Sequence, residues 1–269
     1  MGRRLAVAGC LVFSGLAALV YQLIWTRLLG LAFGTTTESI ATVLAVFFGG
    51  MALGNLLAAR RLVRVERPLR VYALLELAIG IFALASLPIL GSLDALYASV
   101  AASQGAVASA LFRLALAALV LLPPTVAMGA TLPVVARGLV AEDGTLGRWS
   151  GVLYAANTFG AVLGAYLCGF WMLPTLGLTH SVWLAGGINL AVALVVLGVA
   201  GNLRAPAASA AGAPSSAGVP ASGPPQRGAF LFFFGVSGFV AIGYEIVWSK
   251  VFGIVMEGTL YGFAAVLSA

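Results

Sequence analysis

Arg27, Glu76, Arg113, Glu245 and Lys250 stand inside long apolar runs of this sequence. A charged side chain in hydrocarbon is costly, so each needs an ion-pair partner, a route for its head group to the interface, or a substrate or proton to handle. Glu76 lies about two helical turns into its run from an arginine-rich segment, and Arg137 and Arg148 are its expected partners by depth. Arg113 enters its run from the other side, at a depth shared with Arg27, Glu38, Glu245 and Lys250, an expected outer cluster. At ~1.5 Å per residue Glu76 and Glu245 fall near opposite faces of a bilayer, so they are read as separate sites. His180 is the only histidine and makes neither a catalytic triad nor a metal site by itself. Cys10 and Cys168 lie in apolar runs without ligand or disulfide spacing and are read as packing residues. No metal and no cofactor is expected in this chain.

The elements that must position these side chains follow from composition. With 62% hydrophobic and 8% charged residues, the chain is far from the roughly one-quarter charged share of a soluble domain. The expected fold is all-α, a multi-pass transmembrane helix bundle whose first partner is the lipid bilayer. Seven stretches reach the about 20 apolar residues that a crossing needs: 5–26, 37–59, 70–90, 107–136, 149–172, 180–201 and 229–251. An eighth begins near Thr259 and covers only about half a membrane by Ala269, so the second part of the bundle is expected to continue beyond it. Val7-Ala8-Gly9-Cys10 has the small residues of a lipoprotein cleavage site. Only about five apolar residues precede the cysteine, against ~7–15 in a signal h-region, so the first helix is expected to stay.

The sequence nearly repeats itself 223 residues apart. Ser14, Gly15, Ala18, Tyr21, Trp25 and Gly30 recur as Ser237, Gly238, Ala241, Tyr244, Trp248 and Gly253, with Gln22, Thr26 and Arg27 changing to Glu245, Ser249 and Lys250. Six helices separate the copies, so they enter the membrane in the same direction, as parallel repeats about an axis along its normal. At 100° per residue Ser14, Ala18, Tyr21 and Trp25 share one narrow arc, as do Ser237, Ala241, Tyr244 and Trp248. Two readings stand. In one the small residues serve close helix packing, with Trp as an interfacial belt residue; in the other the two stripes face each other and line a central path that includes Tyr21, Gln22, Trp25, Tyr244, Glu245 and Trp248.

Two further features could shape such a path. Pro123 and Pro124 sit near mid-membrane and are expected to interrupt the fourth helix, leaving carbonyls for Thr125, Thr131 or water to satisfy. The alternative is a kink that only shapes packing. Asn157 shares a helix face with Gly160 and Gly164, either a close-contact seam or part of a ligand site.

Net charge +6 would point to nucleic acid in a soluble protein, but its distribution excludes that partner here. Arg3, Arg4, Arg60, Arg61, Arg64, Arg67, Arg70, Arg137, Arg148, Arg204 and Arg227, eleven of fourteen basic residues, fall on one side of an up-and-down threading. The positive-inside rule makes that side, with the N-terminus, cytoplasmic. The segments Gly34 to Glu38, Gly91 to Ala106 and Thr175 to His180 carry no Lys or Arg and are expected outside. Residues 202–228 are rich in Ala, Pro, Ser and Gly, the composition of a flexible cytoplasmic linker. The expected organisation is a six-helix bundle over 1–201, the linker over 202–228, and over 229–269 the start of a second repeat.

Three motifs then carry a resemblance. Ser14-Gly15-Leu16-Ala17-Ala18-Leu19-Val20-Tyr21-Gln22-Leu23-Ile24-Trp25-Thr26-Arg27-Leu28-Leu29-Gly30, the segment from Pro124 to Pro133 and the segment from Leu153 to Ala165 resemble the membrane region of bacterial fused spermidine synthases. In that family a multi-pass region similar to part of a major facilitator precedes a soluble aminopropyltransferase domain. The resemblance implies a bacterial inner-membrane protein tied to polyamine biosynthesis, with an aminopropyltransferase domain as a possible partner in a longer parent chain. It carries over no catalytic residue. The sequence has no G-x-G-x-x-G donor loop, no soluble α/β stretch and only eight acids. Three functions remain open: a membrane domain that anchors the enzyme or passes its polyamine or another small molecule, a major facilitator-like transporter without an enzyme, and a structural scaffold.

Overall fold

The computed structural model describes residues 2–34, 37–61, 65–101, 105–140, 146–200, 227–255 and 267–268. Seven helices order these residues: α1 (Gly2–Phe33), α2 (Thr37–Arg61), α3 (Pro68–Ala101), α4 (Ala106–Val140), α5 (Leu146–Leu167), α6 (Leu173–Ala200) and α7 (Arg227–Val255). A π-helical turn over Cys168–Met172 joins α5 to α6. No strand occurs among the described residues. Among the described residues six continuous stretches are long and apolar enough to cross a bilayer, the fifth being the 52-residue run Trp149–Ala200. That run is divided at Gly177, whose φ of 73° is a left-handed conformation that glycine adopts without a Cβ penalty. The loop expected at Thr175 to His180 is therefore reduced to one glycine, because helical hydrogen bonding resumes on both sides of it. The linker, apart from Arg227 and Gly228 at the start of α7, and most of the eighth stretch lie outside the described residues.

The bundle is built around α1. In its most apolar window 72% of residues are buried, against 33–44% in the windows of α2 to α6. α1 packs on α5 and α6, while α2 pairs with α4 and α3 with both α4 and α6. Large apolar side chains such as Leu31, Leu119, Phe159, Leu194 and Phe239 cover the outside, the arrangement that suits a lipid solvent. Lipid offers little hydrophobic drive between helices, so close backbone approach must supply dispersion contacts instead. A Cβ placed on Gly160 would overlap the carbonyl oxygen of Val12, and one on Gly129 would overlap that of Met51. The seam expected around Asn157, Gly160 and Gly164 is thus real, and it joins α5 to α1.

α4 departs from expectation. It stays helical from Ala106 to Val140 through Pro123, Pro124 and Pro133. The prolines remove amide donors, but the Thr125 hydroxyl donates to the Leu121 carbonyl at 2.7 Å and Thr131 to that of Met128 at 2.7 Å. Those two carbonyls are not the ones four residues before the prolines, so it is packing on α2 and α3 that holds the helix where backbone donors are missing.

The glycine seam has a measurable consequence. Gly160→Ala should force α5 off α1 and destabilise the bundle by about 1–3 kcal/mol. Gly187→Ala, on an exposed helical position with open space around it, should cost nothing. Heating both variants in detergent and following the monodisperse fraction separates them; equal midpoints would mean the seam is not tight.

Candidate functional site

Glu76 is fully buried on α3, and its carboxylate ties three helices together. Ser14 of α1 donates to Oε1 at 2.5 Å, and the Asn189 amide of α6 donates to Oε2 at 2.5 Å. Asn189 is oriented by its second bond, because its Oδ1 accepts the Tyr21 hydroxyl at 2.6 Å. The ring of Tyr21 stacks on Trp25, with centroids 5.0 Å apart, and the Trp25 indole N–H donates to Ser86 Oγ at 3.1 Å. The Ser86 hydroxyl in turn donates to the Ala83 carbonyl at 2.7 Å. The Tyr72 hydroxyl borders the Ser14–Glu76 pair but completes no hydrogen bond there.

The α1 stripe therefore does two jobs. Its aromatic part closes the core, with Tyr21 and Trp25 both 0% exposed, so Trp25 is not an interfacial belt residue. Its small-residue part opens a space. Ser14 and Ala18, with Phe47, Met51, Asn55, Met128, Thr131, Tyr154, Asn157 and Asn189, line a cavity of about 280 Å³. Its size is at the lower end for small-molecule sites, and a mostly apolar wall with a few convergent amides and hydroxyls is the usual make-up of one. Glu76 stands one hydrogen bond behind this wall, since both of its donors line the cavity.

The expected partners of Glu76 are replaced. Neutral donors on α1 and α6 take both oxygens, where Arg137 was anticipated, because depth alone does not say which helix faces α3; the side chain of Arg148, the other expected partner, lies outside the described residues. The outer cluster separates as well. Arg113, nearly buried, donates to Ser39 at 2.9 Å and reaches the exposed Glu38 carboxylate at 3.5 Å, while Arg27 is exposed. Glu245 instead accepts from the Gln22 amide at 3.2 Å. Ser14 and Gln22 are eight residues apart on α1, so Glu76 and Glu245 reach that helix at points only about 12 Å apart along its axis, closer than opposite bilayer faces.

The two stripes do not face each other. Tyr244 is 62% exposed and Trp248 49% exposed on α7, whereas their counterparts on α1 are buried. The face that α7 turns inward holds Glu245 and Ser249. Among the expected path residues only Asn157 lines the cavity; Tyr21, Gln22, Trp25, Pro123, Pro124, Tyr244, Glu245 and Trp248 do not. Asn189, absent from the sequence expectation, is the hinge of the network. Its signal was a lone amide in the apolar run Gly187-Ile188-Asn189-Leu190-Ala191-Val192.

No known protein family, curated protein or solved structure matches this chain. The resemblance to fused spermidine synthases rests on its three motifs alone.

The network distinguishes two buried tyrosines. Tyr21→Phe keeps the stacked ring but leaves the Asn189 oxygen unsatisfied, which should lower stability by about 1–3 kcal/mol. Tyr72→Phe removes a hydroxyl without a partner and should be neutral or stabilising. Thermal melts in detergent measure the difference, and equal effects would show that the Tyr21–Asn189 bond does not hold the network.

Proposed function

We propose that this chain is the membrane domain of a spermidine synthase-like fusion and that it accommodates a polyamine, or an amine precursor or product, in the cavity beside Glu76. The observation that carries this reading is the carboxylate's surroundings. A fully buried acid whose two partners are both neutral has no countercharge in its hydrogen-bond shell. In a low-dielectric interior that charge projects strongly into the adjacent cavity, where a protonated amine supplies the missing positive charge. Asn55, Asn157 and Asn189 offer the carbonyl and amide groups that orient such a ligand, and the apolar remainder of the wall suits its methylenes.

The membrane setting belongs to the same proposal. Six apolar helical stretches and an apolar outer surface support an inner-membrane bundle, and the arginine distribution supports a cytoplasmic N-terminus. The parallel repeat draws support from one contact. Gln22 meets Glu245, its own equivalent 223 residues away, and equivalent positions touch only near a two-fold axis. That contact also favours the second reading, a major facilitator-like transporter of two related halves.

Spermidine binding to the purified protein in lipid nanodiscs tests the cavity. Glu76→Gln retains the shape of the side chain and should weaken spermidine about tenfold or more, as expected for losing a buried countercharge. Unchanged affinity in a folded variant would overturn the assignment. Aminopropyl transfer should be absent from this chain. Orientation is checked separately by cysteine labelling: positions between Arg60 and Arg70 should react from the cytoplasmic side and positions between Gly91 and Ala106 from outside, and the reverse pattern would sink it.

A further inference from the structure

Two buried hydroxyls, one on α1 and one on α7, are left open by the packing. Thr26 and Ser249 are both about nine-tenths buried, and neither hydroxyl has a hydrogen-bond partner. This is unusual within the molecule. Thr42, Thr125 and Thr175 each donate to the carbonyl four residues back, and Ser181 does the same to Gly177. A hydroxyl in a helix satisfies itself this way at little cost, so two buried ones left open mark groups available to something else.

Their positions on the two helices match. Thr26 follows Gln22 by four residues on α1, and Ser249 follows Glu245 by four on α7, so each lies on the same helix face one turn further along. Gln22 and Glu245 are hydrogen-bonded to each other, which is where the two helices meet. The group thus contains one carboxylate and three neutral oxygens, Gln22 Oε1, Thr26 Oγ1 and Ser249 Oγ. A primary ammonium has three N–H donors and needs one charged and two neutral acceptors. It fits this set better than a hard divalent cation, which demands more ligands and a higher negative charge.

From these observations we infer that Glu245, Gln22, Thr26 and Ser249 form a second ammonium site, about 12 Å along α1 from the Ser14–Glu76 pair, and that the bundle recognises a linear dication by holding one end at each. This deepens the proposed function and rests on it. The face of α1 between the two sites carries Ala18, whose small side chain lines the cavity and leaves room for a methylene chain. Ser14, Ala18 and Gln22 follow one another at helical spacing along that face.

The test uses the chain in nanodiscs and two sets of probes, α,ω-diamines of increasing length and the monoamines of equal carbon number, each competed against labelled spermidine. Diamine affinity should peak at one chain length and exceed that of the matching monoamine about tenfold. Glu245→Gln restores the residue of the matched α1 position and should flatten the length profile, lowering diamines to the level of monoamines while monoamine binding is kept. Retained monoamine binding also shows that the variant is folded. Thr26→Val removes an unsatisfied hydroxyl at similar volume, so it should leave the melting midpoint equal or higher while weakening the best diamine several-fold; a residue that serves packing alone would not separate the two readouts. Equal binding of diamines and monoamines, or a length profile unchanged in Glu245→Gln, overturns this inference and leaves the Glu76 cavity standing. Failure of every amine to bind overturns both.

Discussion

The bundle is organised by one carboxylate that cannot reach water. Glu76 holds α1 through Ser14 and α6 through Asn189, and these bonds fix how α3 is rotated against both helices. In hydrocarbon an unpaired polar group is expensive, so each member of the network needs its partner at the right height and angle. Apolar ridges in a lipid bundle slide with little penalty; hydrogen bonds among Ser14, Glu76, Asn189 and Tyr21 do not. The stack of Tyr21 on Trp25 then carries that registration a further turn along α1 to Ser86 on α3.

Glycine contacts provide the complementary constraint. Gly160 meeting Val12 brings α5 against α1, and Gly129 meeting Met51 brings α4 against α2. The two helix pairs are drawn tight by backbone contact. The cavity lies between the pairs, and it opens where α1 changes from Tyr and Trp to Ser, Gly and Ala. Packing and binding are therefore divided along a single helix, with rigidity at the aromatic end and room at the small-residue end.

α7 relates to this bundle through polar contact rather than core burial. It meets α2 and the Gln22 position of α1, and it leaves its own Tyr244 and Trp248 outward. On α1 the corresponding aromatics point into a core formed by the helices that follow it in sequence. The same stripe thus has opposite environments in its two copies, and the matched residues that do meet, Gln22 and Glu245, lie to one side of it.

Composition and spacing by themselves determined that this chain is helical, apolar enough to cross a membrane, and divided into spans close to those observed, because hydrocarbon leaves backbone polar groups few ways to be satisfied. They also identified Glu76, Glu245 and Asn157 as residues needing an explanation, since charge and amides stand out in apolar runs. Partners were beyond reach of the sequence. Depth placed Glu76 near Arg137 and Arg148, but rotation about the helix axes brought Ser14 and Asn189 to it. The paired prolines signalled a break, yet α4 stays continuous, packed along α2 and α3. Rotation of each helix about its own axis is decided by which neighbours it packs against, and that choice exists only once the bundle has assembled.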